Sequence, residues 1–244
     1  MDFHRIRKAA FVTLVAVALL LVGGYFFRLP LARAALHSGN AFFGGGMPYS
    51  LSIADTLYRV ALRLDPRVED AWHQRARIAF LGGDFRSAKD MINTQIALHG
   101  DSFMASYYIR GLIYGFNKEF APAEKDFEHF LAWDPNNWAA NNDLAWLYFS
   151  QGKFNETDIQ ASRGLLQNPG NPWLLMMRGM ARFNLGRREE ALTDLSEARE
   201  AARLLTEADW SKAYPGNDPR AATLGLSELH ATIDKNIALI QLWM

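Results

Sequence analysis

The 244-residue chain contains no cysteine, which excludes disulfides, thiolate chemistry and cysteine-based metal centres. It also lacks net charge, since 26 Lys and Arg balance 26 Asp and Glu. The first 54 residues hold five of the bases against Asp2 alone, leaving 21 bases and 25 acids beyond them. A mildly acidic remainder offers no basic stripe to neutralise phosphates, so nucleic acid is not an expected partner. The six histidines, His4, His37, His73, His99, His129 and His230, show no metal-ligand spacing. No metal or cofactor is expected, and each histidine reads as a surface or packing residue.

Catalytic motifs are equally scarce. Ser150-Gln151-Gly152-Lys153 matches the short S-x-x-K pattern, but it falls where a tight turn is expected and Gly152 serves that turn. Gly44-Gly45-Gly46 has neither the Lys-Ser/Thr of a phosphate loop nor a strand before it, and reads as a flexible turn ending at Pro48. Asn155-Glu156-Thr157 is a glycosylation sequon, informative only in a eukaryotic secretory pathway. The chain is not expected to be an enzyme.

What the chain does have is one long apolar run. Ala9 to Phe27 is 19 residues without a charge; as a helix it reaches ~28 Å, close to the thickness of a bilayer's hydrocarbon core. It reads as a single transmembrane anchor. Arg5, Arg7 and Lys8 precede it, and Arg28 and Arg33 follow. That bias favours a cytoplasmic N-terminus, with the rest of the chain periplasmic or otherwise outside the cytoplasm. A cleaved signal peptide is the alternative, with Ala32-Arg33-Ala34 as the cleavage site, but the run exceeds most signal h-regions and retention is favoured.

Beyond the run, small residues return every 34 to 35 positions. Ala76, Gly111, Ala145 and Gly179 form one column, and Ala88, Ala123, Thr157 and Ala191, each twelve residues later, form another. Gly100, Pro135 and Pro169 close the units. Each unit is therefore a pair of helices whose small residues permit close approach, and neither helix buries its apolar face without a neighbour.

At these positions the sequence resembles the tetratricopeptide repeat. The best match runs from Tyr107 through Gly111, Tyr114, Phe120, Ala123 and Phe127 to Pro135. Trp72, Ala76, Phe85, Ala88 and Ile92 mark another unit, Leu144, Ala145, Tyr148, Phe154 and Pro169 the next, and Leu175, Gly179, Gly186, Ala191, Leu195 and Ala198 a fourth. Ala54, Tyr58, Ala61, Leu62 and Pro66 read as the second helix of a degenerate first unit, whose first helix lies near 31–43. Asp65-Pro66, Asp134-Pro135 and Asn168-Pro169 each stop one helix and set the turn into the next. Arg75, Arg110 and Arg178 depart from the family's usual Leu; they either lie along the helix pair bonded to acids or face a ligand.

The resemblance implies an all-α solenoid of about five units over 31–205; the apolar run makes 1–30 a tail and transmembrane anchor before it. Over 206–244, a breaker-rich connection containing Pro215, Gly216, Asp218 and Pro219 leads to a last helix. Ala222, Leu226, Leu229, Ile233, Ile237, Ile240 and Met244 form one stripe on it, as expected of a helix capping the stack. The rival reading is a docking helix for a partner.

In the family, the first helix of each unit lines a partner groove. Carried over, the groove positions are His73, Arg77, Phe80, Tyr108, Leu112, Phe116, Asn142, Trp146, Phe149, Trp173, Met176, Met180 and Phe183. That lining is apolar and rich in Met and aromatics, suited to an amphipathic helix or an extended apolar segment rather than an acidic tail. The competing reading is that these aromatics only pack helices, or that the C-terminal helix fills the groove. The expected function is a membrane-anchored scaffold or assembly factor that holds a membrane-associated protein partner. A permanent structural subunit of a membrane complex is the alternative.

Overall fold

The computed structural model describes residues 3–44, 50–206 and 221–243, with side chains from Gly23 onward except those of Tyr25 and 221–224. No strand occurs among the described residues. The helices are α1 (Phe3–Gly44), α2 (Leu51–Leu64), α3 (Ala71–Leu81), α4 (Phe85–His99), α5 (Ala105–Phe116), α6 (Phe120–Trp133), α7 (Trp138–Ser150), α8 (Phe154–Gln167), α9 (Pro172–Asn184), α10 (Arg188–Arg203) and α11 (Ala221–Gln241). The chain divides into two compact units, Met1–Arg75 and Ala76–Met244.

In the first unit, the later part of α1 and the whole of α2 form the hairpin expected of a degenerate repeat. The hairpin closes where a side chain is missing, because a Cβ on Gly39 would fall 2.5 Å from Tyr58 Cε1. Tyr58 is fully buried, and its hydroxyl donates to Asn40 Oδ1 at 2.7 Å, so its polar tip is satisfied. Ala32, Ala61, Leu62, Val68 and Ala71 form the small core. Within this unit Asp55 accepts from Arg75 Nε and Arg59 Nε at 2.7 Å each. The apolar run 9–27 falls within α1, and most of its side chains lie outside the described residues. Among the described residues, no helix is long and apolar enough to cross a membrane.

The second unit is a stack of helix pairs, α3/α4, α5/α6, α7/α8 and α9/α10; the first helix of each pair is its A helix and the second its B helix. Both small-residue columns are buried at every level. The reason is visible at Gly111, where a Cβ would come within 3.2 Å of the Phe127 ring across the pair. Thr157 fits its alanine column because its hydroxyl donates to Lys153 O at 2.8 Å. The stops fall as expected, with Asp134 and Asn168 ending α6 and α8 immediately before their prolines. Asn137 and Asn171 then cap α7 and α9: Asn137 Oδ1 accepts from Ala140 N at 3.0 Å, and Asn171 Oδ1 from Leu174 N at 3.0 Å.

Within each pair the turn needs one left-handed residue. Gly83, Gly152 and Gly186 supply it with φ of 75°, 73° and 81°, and Lys118 takes the same place at φ 62°. Ser150 and Lys153 flank this turn in α7/α8. The Ser150 hydroxyl donates back to Trp146 O at 2.8 Å, and Lys153 Nζ pairs with Glu124 at 2.9 Å. Both groups are engaged structurally.

The out-of-pattern arginines pair with acids. Arg110 makes a two-pronged bond to Asp126 at 2.7 and 2.8 Å, and Arg178 does the same to Asp194 at 3.0 and 2.6 Å. Asp126 also holds Arg110 more firmly protonated than a free guanidinium, against the cost of burial. A second set of ion pairs links successive repeats: Lys89–Glu119 at 3.0 Å, Glu124–Lys153 at 2.9 Å and Asp158–Arg187 at 2.5 Å. They hold the equal place in each repeat, and partly exposed pairs of this kind contribute only about 0–1 kcal/mol each.

Helix α11 is broken at Gly225, whose φ is 71°. Beyond the break, Leu226, Leu229, Ile233, Ile237 and Ile240 are buried in one cluster with Ala191, Leu195, Ala198 and Ala202 of α10. Helix α11 therefore lies on α10 as α9 lies on α8, and touches α9 as α9 touches α7. Ala222, Met244 and the breaker-rich stretch around Pro215 and Pro219 are outside the described side chains.

Candidate partner-binding face

Twelve of the expected groove residues stand on the A helices of the second unit. His73 belongs to the first, where it is buried. Phe80, Leu112, Asn142 and Trp173 are also buried, and Arg77, Tyr108, Phe116, Trp146, Phe149, Met176, Met180 and Phe183 are half-buried. The half-buried set forms the accessible part of the face, and the buried set supports it from beneath.

The aromatics are brought together across successive A helices. Phe80 of α3 meets Phe116 of α5 edge to face at 5.3 Å, and Phe116 stacks on Trp146 of α7 at 4.8 Å. Gly115 makes the second contact possible, because a Cβ there would meet Trp146 Cζ3 at 3.0 Å. Lower on the face, the Tyr108 hydroxyl donates to the carboxylate of Asp143, which also accepts from Asn142 Nδ2 at 3.2 Å. Farther along, Phe149 meets Phe154 edge to face at 5.5 Å. Met176, Met180 and Phe183 instead pack against the core that α9 shares with α10 and α11.

Phe85, Gly115 and Asp143 complete this arrangement but were not among the expected groove residues. Phe85 packs on both Phe80 and Phe116, at 5.9 and 6.4 Å. It begins a B helix, so a carry-over restricted to A helices passes over it, although Phe85, Phe120 and Phe154 recur with the repeat period. Gly115 gives no signal of its own, and Asp143 matters only because Tyr108 faces it from the preceding repeat.

Chemically, the face offers aromatic edges and a thioether-rich end, with its carboxylate already bonded. It can bury apolar side chains. Among the described residues, no group of three or more His, Asp or Glu is placed to hold a metal ion.

Comparison with known proteins agrees with this architecture. Residues 105–137 match the tetratricopeptide repeat family. No curated protein matches the sequence significantly. Among solved structures, the chain is similar to PilW, titled a widely conserved type IV pilus biogenesis factor, with a TM-score of 0.64 and 18% identity over 86% of this chain and 98% of that one. It is similar to YrrB, titled a TPR protein with an unusual peptide-binding site, with a TM-score of 0.56 and 20% identity over 71% of this chain and 84% of that one. A third similarity is to MamA, with a TM-score of 0.57 and 20% identity over 63% and 89%. At these identities the likeness establishes the fold, an all-α tetratricopeptide stack.

Proposed function

We propose that this chain is a membrane-anchored tetratricopeptide scaffold or assembly factor that binds an apolar segment of a protein partner close to the membrane. The observation that carries the reading is the continuous aromatic row Phe80, Phe116 and Trp146, of which Phe116 and Trp146 are half-buried. The accessible edges of Phe116 and Trp146 gain free energy when a partner covers them. Peptide binding by YrrB and pilus biogenesis by PilW are roles of proteins with a similar fold, and both fit a protein-binding stack.

The anchor is the second part of the proposal. The uncharged run 9–27 supports it, as does the exposure of Phe26 and Phe27, 71% and 67%, at its described end. The repeats then lie outside the cytoplasm, as the flanking Arg and Lys residues indicate.

Photo-crosslinking from a benzoylphenylalanine placed at Tyr108 or Phe149, in membranes carrying the full chain, tests both parts. The expected result is one dominant protein adduct, released with the membrane fraction, and a repeat domain protected from protease on the cytoplasmic side. Adducts only to lipid or to the chain itself would remove the partner reading. A mature N-terminus near Ala35 would remove the anchor. A partner recovered at fixed stoichiometry under every mild extraction would favour the permanent-subunit alternative.

A further inference from the structure

Arg110 of α5 has no arginine counterpart in the α7/α8 repeat, where Leu144 stands in its place. Its guanidinium is enclosed by three consecutive helices. Asp126 of α6 accepts from Nε and Nη2, and Asn93 of α4 accepts from Nη1 at 3.0 Å. The rings of Tyr107 and Tyr114 on α5 lie 5.3 and 5.9 Å from Cζ. Advancing each of these positions by one repeat gives Leu144 for Arg110, Gln160 for Asp126, Glu128 for Asn93, Asn141 for Tyr107 and Tyr148 for Tyr114. These five residues, with Arg163, line a cavity of about 320 Å³ among α6, α7 and α8.

The cavity thus lies where the preceding repeat encloses the Arg110 guanidinium, and position 144 supplies none of its own. Leu144 is too short and apolar to reach across it. The internal counterion has also gone, since Gln160 is neutral and bonds to Asn141 Oδ1 at 2.7 Å. The negative charge has moved to the rim instead. Glu128 stands where the preceding repeat has a neutral Asn; neighbouring Glu119 and Glu124 are paired with Lys89 and Lys153, and Glu128 has no ion pair among the described residues. Tyr148 keeps its place as the aromatic wall, and burial together with Glu124 and Glu128 pushes its phenol up. Arg163 reaches the same space from α8, where Nη1 donates to Gln160 Oε1 at 3.2 Å from an exposed side chain.

We infer that this cleft accepts an arginine side chain of a partner protein, in the position that Arg110 occupies one repeat earlier. The incoming guanidinium is held by the Glu128 carboxylate and Gln160 Oε1 and lies against the Tyr148 ring, displacing Arg163 to solvent. This site is separate from the A-helix aromatic face and does not depend on it. Binding of an apolar segment there and of an arginine here are two independent contacts of one stack.

The test uses the full chain in detergent, with the methyl NMR signals of Leu144 and Leu131 as the readout. N-acetyl-arginine methylamide is titrated at constant ionic strength, alongside the lysine and norleucine analogues. The expected result is a saturable shift with the arginine compound, a weaker one with lysine and none with norleucine. Glu128→Gln should weaken arginine binding about tenfold, and Arg163→Ala should strengthen it by removing the competitor. Both sites are exposed, so neither substitution threatens the fold. Leu144→Arg combined with Gln160→Asp rebuilds the internal pair and should abolish the response at Leu131. Absence of a saturable shift, equal binding of norleucine, or an unchanged affinity in Glu128→Gln would each overturn the assignment.

Discussion

Phe116 and Trp146 stack at 4.8 Å with their planes 25° apart, each supplied by a different repeat. The contact joins α5 to α7 and leaves part of the indole exposed. Trp146 therefore both holds the stack together and presents area to a partner. Trp146→Ala is expected to weaken partner binding by roughly 1.5–3 kcal/mol while lowering the stability of the α5/α7 contact by about 1 kcal/mol. Trp173→Ala, at a buried position, should mainly lower the thermal midpoint. Retained crosslinking and affinity in a folded Trp146→Ala protein would remove this face from the binding account.

Deleting α11 by ending the chain at Thr206 exposes Leu195, Ala198 and Ala202, which the Leu226–Ile240 stripe covers. The expected outcome is a lower thermal midpoint or lower solubility, with no new affinity for apolar peptides. A truncated protein of equal stability that gains such affinity would show instead that this helix guards the A-helix face.

At the α5/α6 turn, Lys118 holds the left-handed conformation that glycine holds in the other three pairs. A non-glycine residue there is strained by about 1–2 kcal/mol, part of which is returned because glycine makes the unfolded chain more flexible. Lys118→Gly should therefore stabilise the protein by about 0.5 kcal/mol, and Gly152→Ala should destabilise it by about 1 kcal/mol. Denaturant melts of the two variants decide this, and the same sign of change in both would contradict it.

Asp55 gives the first unit a pH dependence. Burial alone would raise its pKa, but the bonds from Arg75 and Arg59 outweigh that and hold the carboxyl below its usual value. A depressed folded-state pKa means that the stabilisation is fully present above the unfolded value, ~3.9, and is lost as pH falls through the folded value. Asp55→Asn should therefore be less stable than the parent at neutral pH, and the gap should close below about pH 4. A gap that stays constant down to pH 2 would assign the effect to packing instead of charge.

Much of the fold was legible because its determinants are local and periodic. Gly111 and Ala123 recur with their column mates at fixed spacing because two helices can approach only where neither carries bulk. Asp134-Pro135 ends α6 because the residue before proline is driven out of helical geometry. The face was legible in part. Phe116 and Trp146 meet as their repeat positions imply, but the same positions give Phe80 and Trp173, which are buried.

By itself, the sequence determined the repeat period, the small-residue columns, the turns and stops of the helices, and the stripe that α11 buries. Each of these depends on the sterics of one short segment. Only the tertiary structure decided that Arg110 and Arg178 turn to Asp126 and Asp194, that Phe85 joins the aromatic row, and that Glu128, Tyr148 and Gln160 converge on one cleft. Those outcomes require side chains from separate helices to meet at distances of a few ångströms, and the crossing of the packed helices sets those distances.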